Sequence, residues 1–157
     1  MSYYRVAQIC EKGDLITDSA DAFPEECQKR CMRCGSKTIT ACPSCDTPIR
    51  GVTDSCPDYA GYRIPLYCHE CGEPYPWTSR ILESAVHILS LDIELDAETK
   101  NIISSAIPEL MTDNPLSSVA AATYSSYISK ASDVTKAALR ALLVDVASET
   151  AKRIIFG

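Results

Sequence analysis

Six of the nine cysteines stand as three Cys-x-x-Cys pairs, Cys31/Cys34, Cys42/Cys45 and Cys68/Cys71, and this spacing constrains the fold more than any other feature of the chain. A tight Cys-x-x-Cys turn supplies two thiolates to a tetrahedral ion, and two such turns on facing hairpins close a structural zinc site. Cys42/Cys45 and Cys68/Cys71 are separated by 22 residues, near the ribbon gap of about 15 to 20. They are expected to hold one zinc ion together. Seven residues lie between Cys34 and Cys42, a connector that suits passage from the last turn of one ribbon to the first turn of the next. Cys31/Cys34 must then look upstream, where Cys10 is the first candidate partner. The fourth ligand is either Asp14 or Cys27. Cys27 is preferred, because thiolate is the softer zinc ligand. The segment PEECQKRC, read as a helix, also places Cys27 and Cys31 on one face. The expected ligands of two structural Zn²⁺ ions are therefore Cys10, Cys27, Cys31 and Cys34 for one, and Cys42, Cys45, Cys68 and Cys71 for the other. Cys56 has no partner at ligand spacing and reads as a free thiol.

The same residues invite other chemistry. Cys27-x-x-x-Cys31-x-x-Cys34 has the spacing that holds a [4Fe–4S] cluster in radical S-adenosylmethionine enzymes. Those need a barrel of about 200 residues or more, which 157 residues already carrying a second cysteine set do not supply. Thioredoxin-type chemistry places one Cys-x-x-Cys at a helix start in a βαβ unit, and three pairs among prolines and glycines do not. His69 lies between two expected ligands and His87 stands alone on a helix, so both read as solvated or packed side chains. No Gly-rich phosphate loop, Gly-x-Ser-x-Gly elbow or His-Glu-x-x-His helix occurs. A full cysteine complement closes zinc coordination, and the chain is expected to be no enzyme.

Composition changes sharply near Trp77. All nine cysteines precede it, and stretches of Ala, Leu, Ile, Val and Ser at helical spacing follow. The expected architecture is α+β: a double zinc-ribbon module over residues 1–77, then a bundle of about four helices over 78–157. Trp77 is expected to be buried where the two meet. Thr78 can cap a helix carrying Ile81, Leu82, Ala85, Val86 and Leu89. Asp96 can cap a second, with Ile102, Ile103 and Ala106 on one face, which Pro108 interrupts. Asn114-Pro115 reads as N-cap and first residue of a third, carrying Val119, Ala122 and Ile128. Ser132 or Asp133 opens the last and longest, with Leu139, Leu142, Leu143, Val146, Ala147 and Ile154 as one stripe. That stripe suits a core or a partner helix or the surface of a membrane. Arg140, Asp145, Glu149, Lys152 and Arg153 keep it from crossing one.

Net charge is −6, spread evenly: eight Lys+Arg against eleven Asp+Glu in residues 1–79, seven against ten in 80–157. Neither half is a general phosphate-binding surface. Nucleic acid stays the second reading, on Lys29, Arg30, Arg33 and Lys37 around the first knuckle and Arg5, Arg50 and Arg63 elsewhere. The aromatic residues Tyr3, Tyr4, Tyr59, Tyr62, Tyr67, Tyr75 and Trp77 could stack bases. The first reading is a zinc-dependent module that recognises another protein or a second copy of itself through its C-terminal helices. MSYYRVAQIC has no basic region followed by an apolar run, so the cytoplasm is the expected compartment, where paired thiols serve metal or redox roles.

The stretches YYRVAQIC, CMRCGSKTITACPSCDTPIRG, YCHECGEPYPWT and LVDVASETAK together resemble an uncharacterised bacterial family of double-zinc-ribbon proteins, over the whole chain. The resemblance implies two successive ribbons, with Cys42, Cys45, Cys68 and Cys71 in the second and Cys10, Cys31 and Cys34 in the first. The family usually has histidine where this chain has Asp14, which makes Cys27 a compensating ligand. The family brings no activity with it.

Overall fold

The computed structural model describes residues 3–55 and 61–157. Cys56 and Tyr59, expected as a free thiol and a stacking face, lie outside the described residues. The chain divides into two compact units, Met1–Arg80 and Ile81–Gly157. Its class is mixed α+β, with short antiparallel strands and the cysteines first and five helices after.

Among the described residues, five short strands make two small sheets in the first unit: β1 (Tyr4–Val6), β2 (Gln8–Cys10), β3 (Leu15–Thr17), β4 (Thr38–Ile39) and β5 (Arg50–Thr53). β1 pairs with β5, and β2 lies between β3 and β4, all antiparallel. Strands of two to four residues cannot bury enough apolar surface to hold themselves. Their core is a small cluster of Ala7, Ile9, Ile49, Tyr75 and Trp77 around the cysteines Cys42 and Cys68. Tyr75 and Trp77 stack with ring centroids 4.8 Å apart, and the Trp77 indole N–H donates to the Pro65 carbonyl at 2.9 Å. Gly13, at φ +97°, lies under Trp77: a Cβ there would sit 3.1 Å from the Trp77 Cβ. Gly51 in β5 admits no side chain at all, since its Cβ would fall 1.9 Å from the Asp18 carbonyl oxygen.

The helices are α1 (Pro76–Ser90), α2 (Ala97–Leu110), α3 (Ser117–Ile128), α4 (Asp133–Leu143) and α5 (Glu149–Ile155). α1 starts two residues before Thr78, with Pro76 at a position whose N–H would be unsatisfied. Thr78 is therefore inside the helix, fully buried, and its hydroxyl donates to the Leu66 carbonyl at 2.7 Å. Asp96 caps α2 through a 2.7 Å bond from the Thr99 N–H. Pro108 does not interrupt α2, which continues to Leu110. In the last turn a missing N–H removes only one helical bond. Asn114 accepts the Leu116 N–H and shapes a lead-in turn, so α3 proper starts at Ser117. Its buried face is Ser117, Ala120, Ala121 and Tyr124, and Val119 and Ala122 face solvent. The small residues let α3 pack against both α2 and α5.

The expected long final helix is two. Ser148 accepts the Ala151 N–H at 3.2 Å and starts α5, while its own N–H donates to the Leu110 carbonyl at 2.7 Å. A serine followed by Glu149 carries the chemistry of an N-cap, which the apolar stripe obscures. Asp92 orders the turn between α1 and α2. Its buried carboxylate accepts from the Ser132 N–H (2.9 Å), the Ser132 hydroxyl (3.1 Å) and the Glu94 N–H (2.8 Å). Among the described residues no helix is long and apolar enough to cross a membrane.

Candidate metal centres

One turn, used three times, presents the cysteine pairs. The first cysteine N–H donates to the carbonyl five residues on, and the N–H four residues on returns to the first cysteine carbonyl. These bonds are 2.8 and 2.7 Å at Cys31, 2.8 and 2.8 Å at Cys42, and 2.9 and 2.9 Å at Cys68. Both bonds close only if the residue after the second cysteine turns left-handed. That residue is Gly35 (φ +72°), Asp46 (φ +64°) and Gly72 (φ +76°). Glycine adopts this conformation freely and aspartate tolerates it better than most residues. Each turn is flanked by one antiparallel bridge: Arg30 with Lys37, Ala41 with Pro48, Tyr67 with Pro74.

A shorter version of this turn holds Cys10. Its N–H donates to the Asp14 carbonyl at 2.9 Å, and Gly13 supplies the left-handed step one residue earlier than in the other three. The second side chain of this turn is therefore residue 14, an aspartate. The Asp14 N–H also reaches the Cys10 sulfur at 3.3 Å, as the Glu70 N–H reaches Cys68 at 3.4 Å.

Four ligand atoms converge in each of two places, all within 4.8 Å of one another: Cys42, Cys45, Cys68 and Cys71 in one, Cys10, Asp14, Cys31 and Cys34 in the other. In the first, Cys42 and Cys71 sulfurs are 3.7 Å apart and Cys45 and Cys68 sulfurs 3.6 Å. In the second, Cys10 to Cys34 is 3.6 Å, and the Asp14 carboxylate lies 3.7 Å from Cys10 and 3.6 Å from Cys31. A tetrahedral zinc with Zn–S of about 2.3 Å and Zn–O of about 2.0 Å has S···S edges of about 3.8 Å and S···O edges of about 3.5 Å. Both groups fit such an ion. Sulfurs at these separations are not disulfide-bonded, since that bond is about 2.05 Å.

Cys27 is not among these ligand atoms. PEECQKRC is no helix beyond a single 3₁₀ turn at Pro24–Glu26, and Cys27 leaves that turn in extended backbone. Its exposed sulfur points toward the Ala20 carbonyl at 3.9 Å. The preference for Cys27 over Asp14 is corrected by this geometry. Softness ranks ligands that can reach, and the Cys10 turn puts the harder carboxylate within reach instead.

Electrostatics describe the same pressure toward a cation. Backbone N–H groups of Cys71 and Glu70 hold the Cys68 thiol down at about 6. Against the Glu73 N–H, burial and the thiols of Cys45, Cys42 and Cys68 push Cys71 up to about 12. Burial pushes Cys10 up to about 11, while the Ser36 hydroxyl and N–H hold Cys34 below the usual thiol range. Four crowded acids cannot all ionise unless a cation replaces their protons. Gln8 supports the first group in a way no sequence pattern announces. Buried at the start of β2, its amide donates to the Gln28 carbonyl at 3.0 Å and accepts the Gln28 N–H at 2.9 Å. This clamps the segment that enters the Cys31 turn. His69 and His87 belong to neither group.

The chain matches, over residues 3–155, the bacterial family described as uncharacterized protein conserved in bacteria, DUF2321. It belongs to that family. No curated protein and no solved structure matches it.

Proposed function

We propose that the protein is a non-enzymatic zinc-binding interaction module in which two Zn²⁺ ions are structural. The observation that carries this reading is the closure of each group by four protein ligands at tetrahedral spacing. A catalytic zinc keeps one position open for water or substrate, and four protein donors leave none. Cys42 and Cys68 also belong to the small apolar cluster around the short strands. The metal then supplies the folding energy that so small a core lacks, on the order of 10 kcal/mol or more per structural zinc at neutral pH.

The surface for recognition in this reading is on the helical unit. Leu91, Ile93 and Val134 are 68%, 97% and 80% exposed, yet they flank Asp92 and Ser132, which are bonded to each other. Exposed aliphatic side chains on an ordered turn suit association with another protein or a second copy of the chain. Sedimentation velocity on the zinc-loaded protein and its Ile93→Asp variant tests self-association. A concentration-dependent dimer that the variant loses supports it, and an unchanged monomer directs the search to a different protein. The metal reading is tested by chelator titration followed by far- and near-ultraviolet circular dichroism. Loss of tertiary signal in step with zinc release supports a structural ion, and release without unfolding contradicts it.

A further inference from the structure

The three knuckles are one backbone device repeated, so they serve as controls for one another. The second and third close their flanking bridge with Ala41–Pro48 and Tyr67–Pro74, pairs without charge. The first closes it with Arg30 opposite Lys37. Like charges directly opposite each other across two strands are destabilising, so the turn itself does not call for them. Nor does the metal site. The second group has one thiol more than the first, and carries acids beside its turns, Asp46, Glu70 and Glu73, where the Cys31 turn of the first has cations.

Around the first knuckle the cations are Lys29, Arg30, Arg33 and Lys37, and no Asp or Glu occurs from residue 28 to residue 45. Among the described residues their one ion pair is Arg33 with Asp14, at the outer limit of 4.0 Å, and the Arg33 side chain is 79% exposed. At the tip beside Arg33 stands Met32, 84% exposed. The corresponding residues of the other knuckles are Pro43 and His69. The Met32 N–H donates to the Gln28 side-chain oxygen at 3.1 Å, and the Gln28 amide nitrogen lies 3.5 Å from its sulfur, so the tip is held in place. An unbranched, polarizable side chain in a cationic ring is an adaptable apolar anchor with a charged rim.

We propose that the Cys31 knuckle is a docking site for an acidic protein segment that carries an apolar side chain, with Met32 as the anchor and Lys29, Arg30 and Lys37 as the charge-reading rim. This rests on the reading of the chain as a zinc-stabilised protein-binding module and adds, in the cysteine-bearing unit, a second surface whose partner's chemistry it names. A peptide is favoured over nucleic acid because Met32 offers an aliphatic contact and because the net charge of −6 repels a long polyanion.

The test uses the full-length, zinc-loaded chain and fluorescence anisotropy of two labelled probes, a Glu/Asp-rich peptide containing leucines and a single-stranded oligodeoxythymidine, across a salt series. The decisive variant is Arg30→Ala with Lys37→Pro, which copies the bridge of the second knuckle and needs no backbone N–H that the other two lack. Peptide binding that falls about tenfold in this variant, and also in Met32→Ser, is the expected result. Equal binding of the peptide by wild type and variant overturns the proposal. So does preference for the oligonucleotide with a steep salt dependence, which assigns the patch to nucleic acid. Zinc content and circular dichroism of the same samples separate the two layers. Absent zinc overturns the structural-metal reading, whereas two zincs without peptide binding overturn only the docking site.

Discussion

The second cysteine group sits among Tyr75, Trp77, Ile49 and Ile9, closes on four thiols and has Asp46, Glu70 and Glu73 beside its turns. The first closes on three thiols and a carboxylate, with a cationic knuckle on its rim. Both are assembled from the same left-handed turn. The difference teaches that the turn fixes only where ligand atoms meet. What fills the last ligand position, and what surrounds it, is free to vary: one group can share its cysteines with an apolar cluster while the other carries a knuckle of opposite charge.

The largest expected effect is at the second group. Cys42→Ser removes a ligand that is also a core residue, and loss of the ion forfeits on the order of 10 kcal/mol. This is comparable to the whole stability of a typical domain, about 5–15 kcal/mol. The near-ultraviolet signal of Tyr75 and Trp77 should collapse, while the helical circular dichroism of the second unit persists. If both signals survive, the two groups do not differ as described. Metal removal ranks the groups directly. A carboxylate is the weaker zinc ligand beside thiolates, so under graded chelator with a colorimetric zinc indicator one ion should leave well before the other. Asp14→His, by supplying a stronger nitrogen ligand, should delay the first release. Simultaneous release of both ions would dissolve the comparison.

A smaller effect sharpens the shared part. Gly35→Val places a branched residue at φ +72° and should lower stability by about 1–2 kcal/mol. Asp46→Gly relieves a non-glycine residue at φ +64° and should be neutral or stabilising by up to about 1 kcal/mol. Thermal melts of the zinc-loaded variants check both. The helical unit supplies a metal-free contrast. Asp92 is held well below the usual carboxylate range, first by the Thr135 hydroxyl and the Ser132 N–H. A lowered carboxylate contributes stability that is complete above its unfolded pKa and fades as pH falls below it. Asp92→Ala should therefore lower the melting temperature of the helical unit at neutral pH, and the gap to wild type should shrink in strong acid.

Spacing alone made the second group legible, since two Cys-x-x-Cys turns at ribbon distance have one way to share an ion. The mixed α+β class was legible from the change of composition along the chain, and Asp96 announced its helix by cap chemistry. The first group was half legible. Cys10, Cys31 and Cys34 followed from elimination, but ranking Cys27 above Asp14 weighed ligand softness and read PEECQKRC as a helix, where Cys27 in fact leaves a short 3₁₀ turn in extended backbone. The sequence Cys10-x-x-Gly13-Asp14 held the missing signal, a glycine placed to turn the chain left-handed before an oxygen ligand. Ser148 was hidden for a related reason: a short-range cap was outvoted by a long apolar stripe. Gln8 had no local signal, because its partner is 20 residues away.

Native mass spectrometry of the wild type, Asp14→Ala and Cys27→Ser tests the central claim most directly, because it counts ions per chain. The account predicts two zincs for wild type, one for Asp14→Ala and two for Cys27→Ser. Two zincs in Asp14→Ala and one in Cys27→Ser would return the fourth position to the cysteine and contradict the geometry of the Cys10 turn.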